Sequence, residues 1–495
     1  MRAPVAALLI AVALVPAGCG SGSSGDEEGP PQARSELPSG RKLVFFEPGP
    51  VALASPWRDR TLDEVAELGV NAVRLGVLWS DVAPETEPAD WHPADPADPH
   101  YDFSLYDSFM RAAEARNLKV LVTITGPGHP WTTRSGIADS DPDPAKFEAF
   151  ASAVAHRYSG DFDPDGDGDE TTLPEAAIWS VWNEPNLSIF LQPQIHDGSP
   201  YSPILYRQLY LAAQEAIESA DPGTPILIGE TAPTRGLDGV DPIPFARGVL
   251  CLDPVAAATA TCRAGHIDAA GWATHPYGTR GTPPFVDPPG PGFVTLPSLA
   301  NLEHVLDQAG DAGQVASSLP VYISEYGIQS LPDPSLGVPL ETQAAYLAIS
   351  EQLAYADPRI RSYAQYLMRD DPPDRVPGVR YGGFESGLRF WNGPKKPSYD
   401  SFRLPLVVRR SGDRVSIWGL VRPATAATRV EIRVQDGGRT RDLQTAETDD
   451  AGIFELDSPY VQGRLWQVRW RSPSGESFAG PWTRAYSFAL PQAPG

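Results

Sequence analysis

Two glutamates stand where carboxylic-acid chemistry could be done. Glu184 follows Trp179-Ser180-Val181-Trp182-Asn183 and precedes Pro185-Asn186, while Glu325 follows Tyr322-Ile323-Ser324 and precedes Tyr326-Gly327. In each case a short β-prone run delivers a carboxylate at its end. An apolar strand that carries such a group into a crowded site is costly unless the group is paired or its proton is tuned. Both are therefore candidate functional residues. Two carboxyls about 5 Å apart, one protonated and one ionised, can split a glycosidic bond with retention: the acid helps the leaving oxygen depart and the carboxylate attacks the anomeric carbon.

The elements that must position them are legible as a pattern. From residue 42 to about 371, β-rich apolar runs alternate with amphipathic helical segments, as in a parallel sheet covered by helices. Eight strands are expected, at 43–48, 72–79, 119–125, 178–183, 225–230, 269–275, 320–325 and 362–368. Helices are expected at 62–68 (opened by a Thr61/Glu64 capping box), 105–116, 145–158, 203–220 and 342–356, with a last one at 397–402. Eight such units favour an α/β fold closed as a (β/α)8 TIM barrel, and no Gly-rich nucleotide-binding signature follows the first strand to favour an open sheet. Reactive residues of such a barrel come from the C-terminal ends of its strands. Strands four and seven, which carry Glu184 and Glu325, face each other across its mouth. From 405 to 495 the pattern changes to short alternating runs (415–421, 428–434, 452–457, 465–470, 483–488) between turn residues, which indicates a small antiparallel β-sandwich as an accessory domain. Its Trp418, Trp466, Trp470 and Trp482 are expected in its core or docked on the barrel, with sugar stacking as the alternative.

Trp182-Asn183-Glu184-Pro185 together with Ser324-Glu325-Tyr326-Gly327 resembles clan A glycoside hydrolases, the cellulase-like family 5 and the xylosidase-like family 39 being nearest, over residues 42–404. The resemblance implies that Glu184 is the acid/base, that Asn183 binds the sugar hydroxyl next to the anomeric carbon, and that Glu325 is the nucleophile. It further implies that Arg74 supports the nucleophile, that Tyr277 hydrogen-bonds it, and that His129 lies at a polar subsite. Trp79 and Trp391 are candidate sugar-stacking platforms. Many clan members end strand eight in a tryptophan that floors the pocket; 365–371 supplies none, and Trp391 is the candidate replacement. Loops 84–100, 192–203 and 278–297 are expected to wall the cleft. The expected partner is a poly- or oligosaccharide or glycoconjugate, cleaved without a redox cofactor. The alternatives are a non-catalytic glycan-binding surface protein and a transglycosylase using the same glutamates.

Net charge, −24 over 495 residues, repels phosphate backbones and leaves a nucleic-acid partner nothing to be attracted by. No protein partner is predicted. Residues 1–19 resemble a bacterial lipoprotein signal: Arg2, an apolar stretch, then Ala17-Gly18-Cys19. Processing would leave Cys19 lipidated, residues 20–41 as a flexible Gly/Ser/Pro-rich tether, and the enzyme at the cell surface, touching the membrane only through its anchor. With Cys19 so used, the remaining Cys251 and Cys262 are expected to form a disulfide outside the reducing cytosol. Asp163, Asp165 and Asp167, alternating before Gly166 and Gly168, resemble a calcium loop, although no register puts a glutamate at the twelfth position. A structural calcium ion is thus the one candidate cofactor.

Overall fold

The computed structural model describes residues 40–166, 172–236, 238–263, 265–278, 281–376 and 378–491. The expected signal segment, Cys19 and Asp167 lie outside them, as does most of the expected tether. Eight parallel strands close a barrel in sequence order: β1 (Leu43–Glu47), β2 (Ala72–Leu78), β3 (Lys119–Thr125), β4 (Ile178–Val181), β5 (Ile226–Thr231), β6 (Gly271–Thr274), β7 (Val321–Ile323) and β8 (Ile360–Tyr366), with β8 pairing back onto β1. Around it lie α1 (Trp57–Glu67), α2 (Ser104–Glu114), α3 (Pro144–Arg157), α4 (Ser202–Ala220), α5 (Pro242–Val249), α6 (Leu299–Asp311), α7 (Leu340–Ala356) and α8 (Pro397–Arg403). Parallel strands covered by helices are buried on both faces. Hence β3 reads Val-Leu-Val-Thr-Ile-Thr after its first residue, every one of them buried.

Local chemistry sets the helix starts. Asp143 caps α3 by accepting from the Ala145 N–H, with Pro144 at the first helical position. The expected capping box at Thr61 and Glu64 is not formed: α1 begins four residues before Thr61, which is buried within the helix, while Glu64 instead pairs with Arg389. The reason is burial, because Thr61, Leu62 and Val65 make up the face that α1 turns to the barrel.

After α8 come two antiparallel sheets. One orders β9 (Leu406–Ser411), β10 (Arg414–Leu420) and β13 (Ile453–Pro459); the other orders β12 (Arg439–Glu447), β11 (Arg429–Asp436), β14 (Leu465–Arg471) and β15 (Ser477–Ala479). The pair is a small sandwich over a core of Val408, Ile417, Ile432, Val434, Phe454 and Trp466. The expected strand at 483–488 is instead two isolated bridges, Trp466 to Thr483 and Arg409 to Tyr486. Trp418, Trp466 and Trp470 are buried, and Trp418 lies 5.8 Å from the Tyr355 ring of α7. These three tryptophans therefore pack and dock. Cys251 and Cys262 form the expected disulfide.

Candidate active site

Six strands contribute to one cluster, five of them at, near or just beyond their C-terminal ends. Glu47 ends β1, Arg74 points inward from β2, Asn183 and Glu184 follow β4, Glu230 lies near the end of β5, His275 and Tyr277 follow β6, and Ser324 and Glu325 follow β7. Arg74, 4% exposed, ties them together. Its Nη1 donates to Glu47 Oε2 at 2.5 Å and Glu325 Oε2 at 3.1 Å, and its Nη2 to Asn183 Oδ1 at 2.8 Å and Glu230 Oε2 at 3.3 Å. Tyr277 donates its hydroxyl to Glu325 Oε1 at 2.5 Å. The His275 ring, wholly buried, bridges Glu184 Oε1 from Nδ1 (2.9 Å) and Glu230 Oε2 from Nε2 (2.8 Å). Ser324 adds a third hydrogen bond to that Glu230 oxygen, at 2.7 Å.

The backbone bends sharply to make this possible. Trp182, Glu184 and Glu230 have φ of 67°, 43° and 48°. Left-handed conformations cost a non-glycine residue about 1–3 kcal/mol each and survive where surrounding structure enforces them. Here the enforcement is visible. The Trp182 indole lies against Gly126 so closely that a Cβ there would fall 2.3 Å from the ring, and its Nε1 donates to the Phe190 carbonyl. The Glu184 N–H donates to the Glu230 carbonyl at 2.9 Å, locking the β4 end to the β5 end.

Four carboxyls and two cations share this enclosed space, and the proton distribution follows. Burial alone would raise Glu230, but Arg74 and the His275 hydrogen bond overcome it and hold this carboxyl at about 2. Burial likewise opposes charge on His275, yet Glu325 and the hydrogen bonds to Glu184 and Glu230 raise it to about 10, so the ring is an imidazolium at neutral pH. Glu325 is pushed up to about 7, chiefly by burial, with Glu47 and Glu184 adding to the effect and His275 and Arg74 opposing it. Glu325 therefore holds its proton up to near neutral pH, because two cations do not balance the carboxylates of a buried pocket. Single ligand-type atoms of Glu184, His275 and Glu325 all lie within 4.8 Å of one another, the one such trio among the described residues. Both ring nitrogens of His275 are engaged with carboxylates, so the imidazolium has no lone pair for a metal ion.

A cavity of about 830 Å³ opens over the cluster. Of the sequence candidates, Arg74, Asn183, Glu184, Tyr277 and Glu325 line it together. Three others do not. Trp79 is 1% exposed and stacked on Phe150 of α3 at 5.3 Å, a core residue, because its side chain turns away from the barrel mouth under the helix layer. His129 lies off the cavity lining, with its Nε2 3.1 Å from the Ala83 carbonyl, where it braces a loop. Trp391 is half exposed, but it lines a separate depression with Leu331, Pro339 and Tyr381. Tyr366 at the end of β8 and Phe384 occupy the cavity wall instead. Of the expected wall loops, only 278–297 reaches the lining, through Gly278, Gly281 and Thr282. Asp163 accepts from the Asp165 and Gly166 N–H groups, closing a local turn.

The residues that sequence reasoning passes over are Glu47, Glu230 and His275. The rule that selects Glu184 and Glu325, a carboxylate at a strand's C-terminal end, applies equally to Glu47 and Glu230. His275 stands two residues before Tyr277 at the same strand end.

Many solved structures share this architecture, and two of them illustrate the likeness. A glucosidase from Croceicoccus marinus is 14% identical, with TM-score 0.51, covering 86% of this chain and 95% of that one. A family 39 glycoside hydrolase from the gut symbiont Bacteroides cellulosilyticus is 17% identical, with TM-score 0.51, covering 87% and 82%. At these identities the likeness is one of fold. No protein-family model matches the chain, and no curated protein sequence does so.

Proposed function

We propose that this protein is a retaining glycoside hydrolase acting on a carbohydrate substrate, with Glu184 as acid/base and Glu325 as nucleophile. The observation that carries the reading is the spacing of the two carboxyls, whose oxygens approach within 4.8 Å. Retaining enzymes hold the pair about 5–5.5 Å apart, whereas inverting enzymes leave about 6.5–9.5 Å for a water.

In the first step the Glu325 carboxylate attacks the anomeric carbon while the Glu184 proton passes to the departing glycosidic oxygen. The old C–O bond breaks and a glycosyl ester forms. In the second step Glu184 takes a proton from water, the water oxygen attacks the same carbon, and the ester bond breaks to free Glu325. Arg74 and Tyr277 each donate to Glu325, stabilising its ionised form and aiming it. Because His275 occupies Glu184 Oε1, the other oxygen is left to carry the catalytic proton. Asn183 gives its carbonyl to Arg74, which frees its amide N–H groups for a sugar hydroxyl.

Sugar release from a panel of polysaccharides and aryl glycosides, run beside Glu325→Gln, tests the reading. Wild-type hydrolysis that falls by at least a thousandfold in the variant, with product NMR showing the substrate's own anomeric configuration first, is the expected result. An inverted first product, or a variant as active as wild type, would refute it. The same proposal sets the enzyme outside the cytoplasm on a Cys19 lipid, supported by the Cys251–Cys262 bond. Replacing Cys19 by Ser should shift it from the membrane to the soluble fraction.

A further inference from the structure

Among the described residues, every charged side chain that lines the cavity belongs to the catalytic cluster: Glu47, Arg74, Glu184 and Glu325. Beyond them the walls combine the apolar Leu187, Phe190, Pro233, Ile328, Leu336 and Phe384 with uncharged polar groups such as Thr234, Thr282, Gln329 and Ser386. The apolar residues come from segments following β4, β5, β7 and β8, so the apolar lining surrounds the site on several sides. Leu336 is 41% exposed and Phe384 43%, a share of apolar surface that a ligand would cover.

From this we infer that the substrate is a glycoside with an apolar aglycone, one sugar held by the cluster and the leaving group by the apolar walls. The inference rests on the glycosidase reading above and deepens it. Leu187 and Phe190 lie on the turn that begins at Glu184: the Leu187 N–H donates to the Glu184 carbonyl at 2.9 Å, and the Phe190 N–H to the Leu187 carbonyl at 3.1 Å. Glu184 must stand beside the leaving oxygen to protonate it, so the two apolar side chains fall on the leaving-group side. Trp182 fixes this turn through its bond to the Phe190 carbonyl. A second sugar ring placed there would set hydroxyls against leucine and phenylalanine, and buried hydroxyls without partners are costly. An alkyl or aromatic group meets no such penalty. At about 830 Å³ the cavity is in the range of about 300–1,000 Å³ that holds drug-sized ligands, larger than one ring requires.

The test is kcat/KM of the intact protein on methyl, butyl, hexyl and octyl glycosides of glucose, galactose, mannose and xylose, in both anomers and below micelle-forming concentrations. Disaccharides and phenyl glycosides of the same sugars run beside them. The expected result is a rise of roughly two- to fourfold per added methylene until the cavity fills, carried mainly by KM. Phe190→Ser should flatten that slope. Phenyl glycosides that outpace the alkyl series would mark an aromatic aglycone, within the same inference. Cleavage with no dependence on chain length, or disaccharides cleaved faster than octyl glycosides, overturns the inference while leaving the glycosidase reading standing. Cleavage of no glycoside at all overturns both.

Discussion

Glu325 has to be ionised to attack, yet burial holds its proton up to about 7. With an activated leaving group, which needs no proton from Glu184, formation of the glycosyl-enzyme should follow Glu325 ionisation alone and rise through about pH 7. Tyr277→Phe removes a hydroxyl that donates to the carboxylate at 2.5 Å. Hydrogen bonds to charged groups contribute about 1.5–3 kcal/mol, so the rise should move about one to two units to higher pH, measured by stopped-flow release of the leaving group. An unmoved profile would mean that Tyr277 only packs. His275 allows a test in stability. Its proton is bound more tightly in the folded state (about 10) than in the unfolded state (about 6.5), so its contribution is complete below pH 6.5 and is lost as pH rises through 10. The raised Glu325 carboxyl also makes stability fall with pH, but its window closes near pH 7. Urea unfolding of wild type and His275→Asn should therefore converge between pH 7 and 10, and parallel curves there would argue against a charged imidazole.

At the scale of elements, the contact between α7 and the turn after β10 is the most exacting. Arg422 Nη2 donates to Glu351 Oε2 at 2.5 Å with both side chains 1% exposed, and Arg422 Nε donates to the Phe402 carbonyl at the end of the barrel. Removing one partner of a buried pair strands the other, at a cost of about 3–5 kcal/mol, whereas replacing both by apolar residues is often neutral. Glu351→Ala should thus destabilise by about 3–5 kcal/mol, with Glu351→Leu/Arg422→Met recovering most of the loss in denaturant titrations. Failure of the double variant to recover would assign the effect to packing. Element identity was legible for the barrel strands, where burial on both faces imposes an apolar run, but β9, α5 and α6 were not singled out although each buries apolar residues. All eight barrel strands stand where apolar runs place them, whereas β12 (Arg-Thr-Arg-Asp-Leu-Gln-Thr-Ala-Glu) escapes notice because it is an edge strand, mostly exposed, and needs no apolar face.

At the scale of the whole molecule, the C-terminal sandwich keeps a core of its own but also contributes to the interior of the barrel. Val407, Trp418 and Leu420 of the sandwich belong to the barrel's apolar cluster, and Tyr486 and Phe488 pack on Phe285 of the β6 loop. Units that share buried surface and an ion pair should unfold together. Calorimetry of the full chain is expected to show one cooperative transition with equal calorimetric and van't Hoff enthalpies, and two resolved transitions would show the sandwich to be an independent module.

The amino-acid sequence by itself determined the order and kind of the barrel elements, because parallel strands buried on both faces must be apolar runs and their helices must be amphipathic. It also pointed to Glu184 and Glu325, because a carboxylate ending an apolar strand stands out locally. The clan A resemblance also put Arg74 and Tyr277 beside Glu325, whereas only the tertiary structure added Glu47, Glu230 and His275 to the cluster and showed how all of them meet. Arg74 meets Glu325 across 251 residues and His275 meets Glu184 across 91, and separations of that size leave no periodic trace in the chain. Tertiary structure decided, too, between tryptophans that look alike in sequence. Trp79 is covered by α3 and Trp391 faces a different depression, because which side of a strand end meets the cavity depends on how the helices close around it.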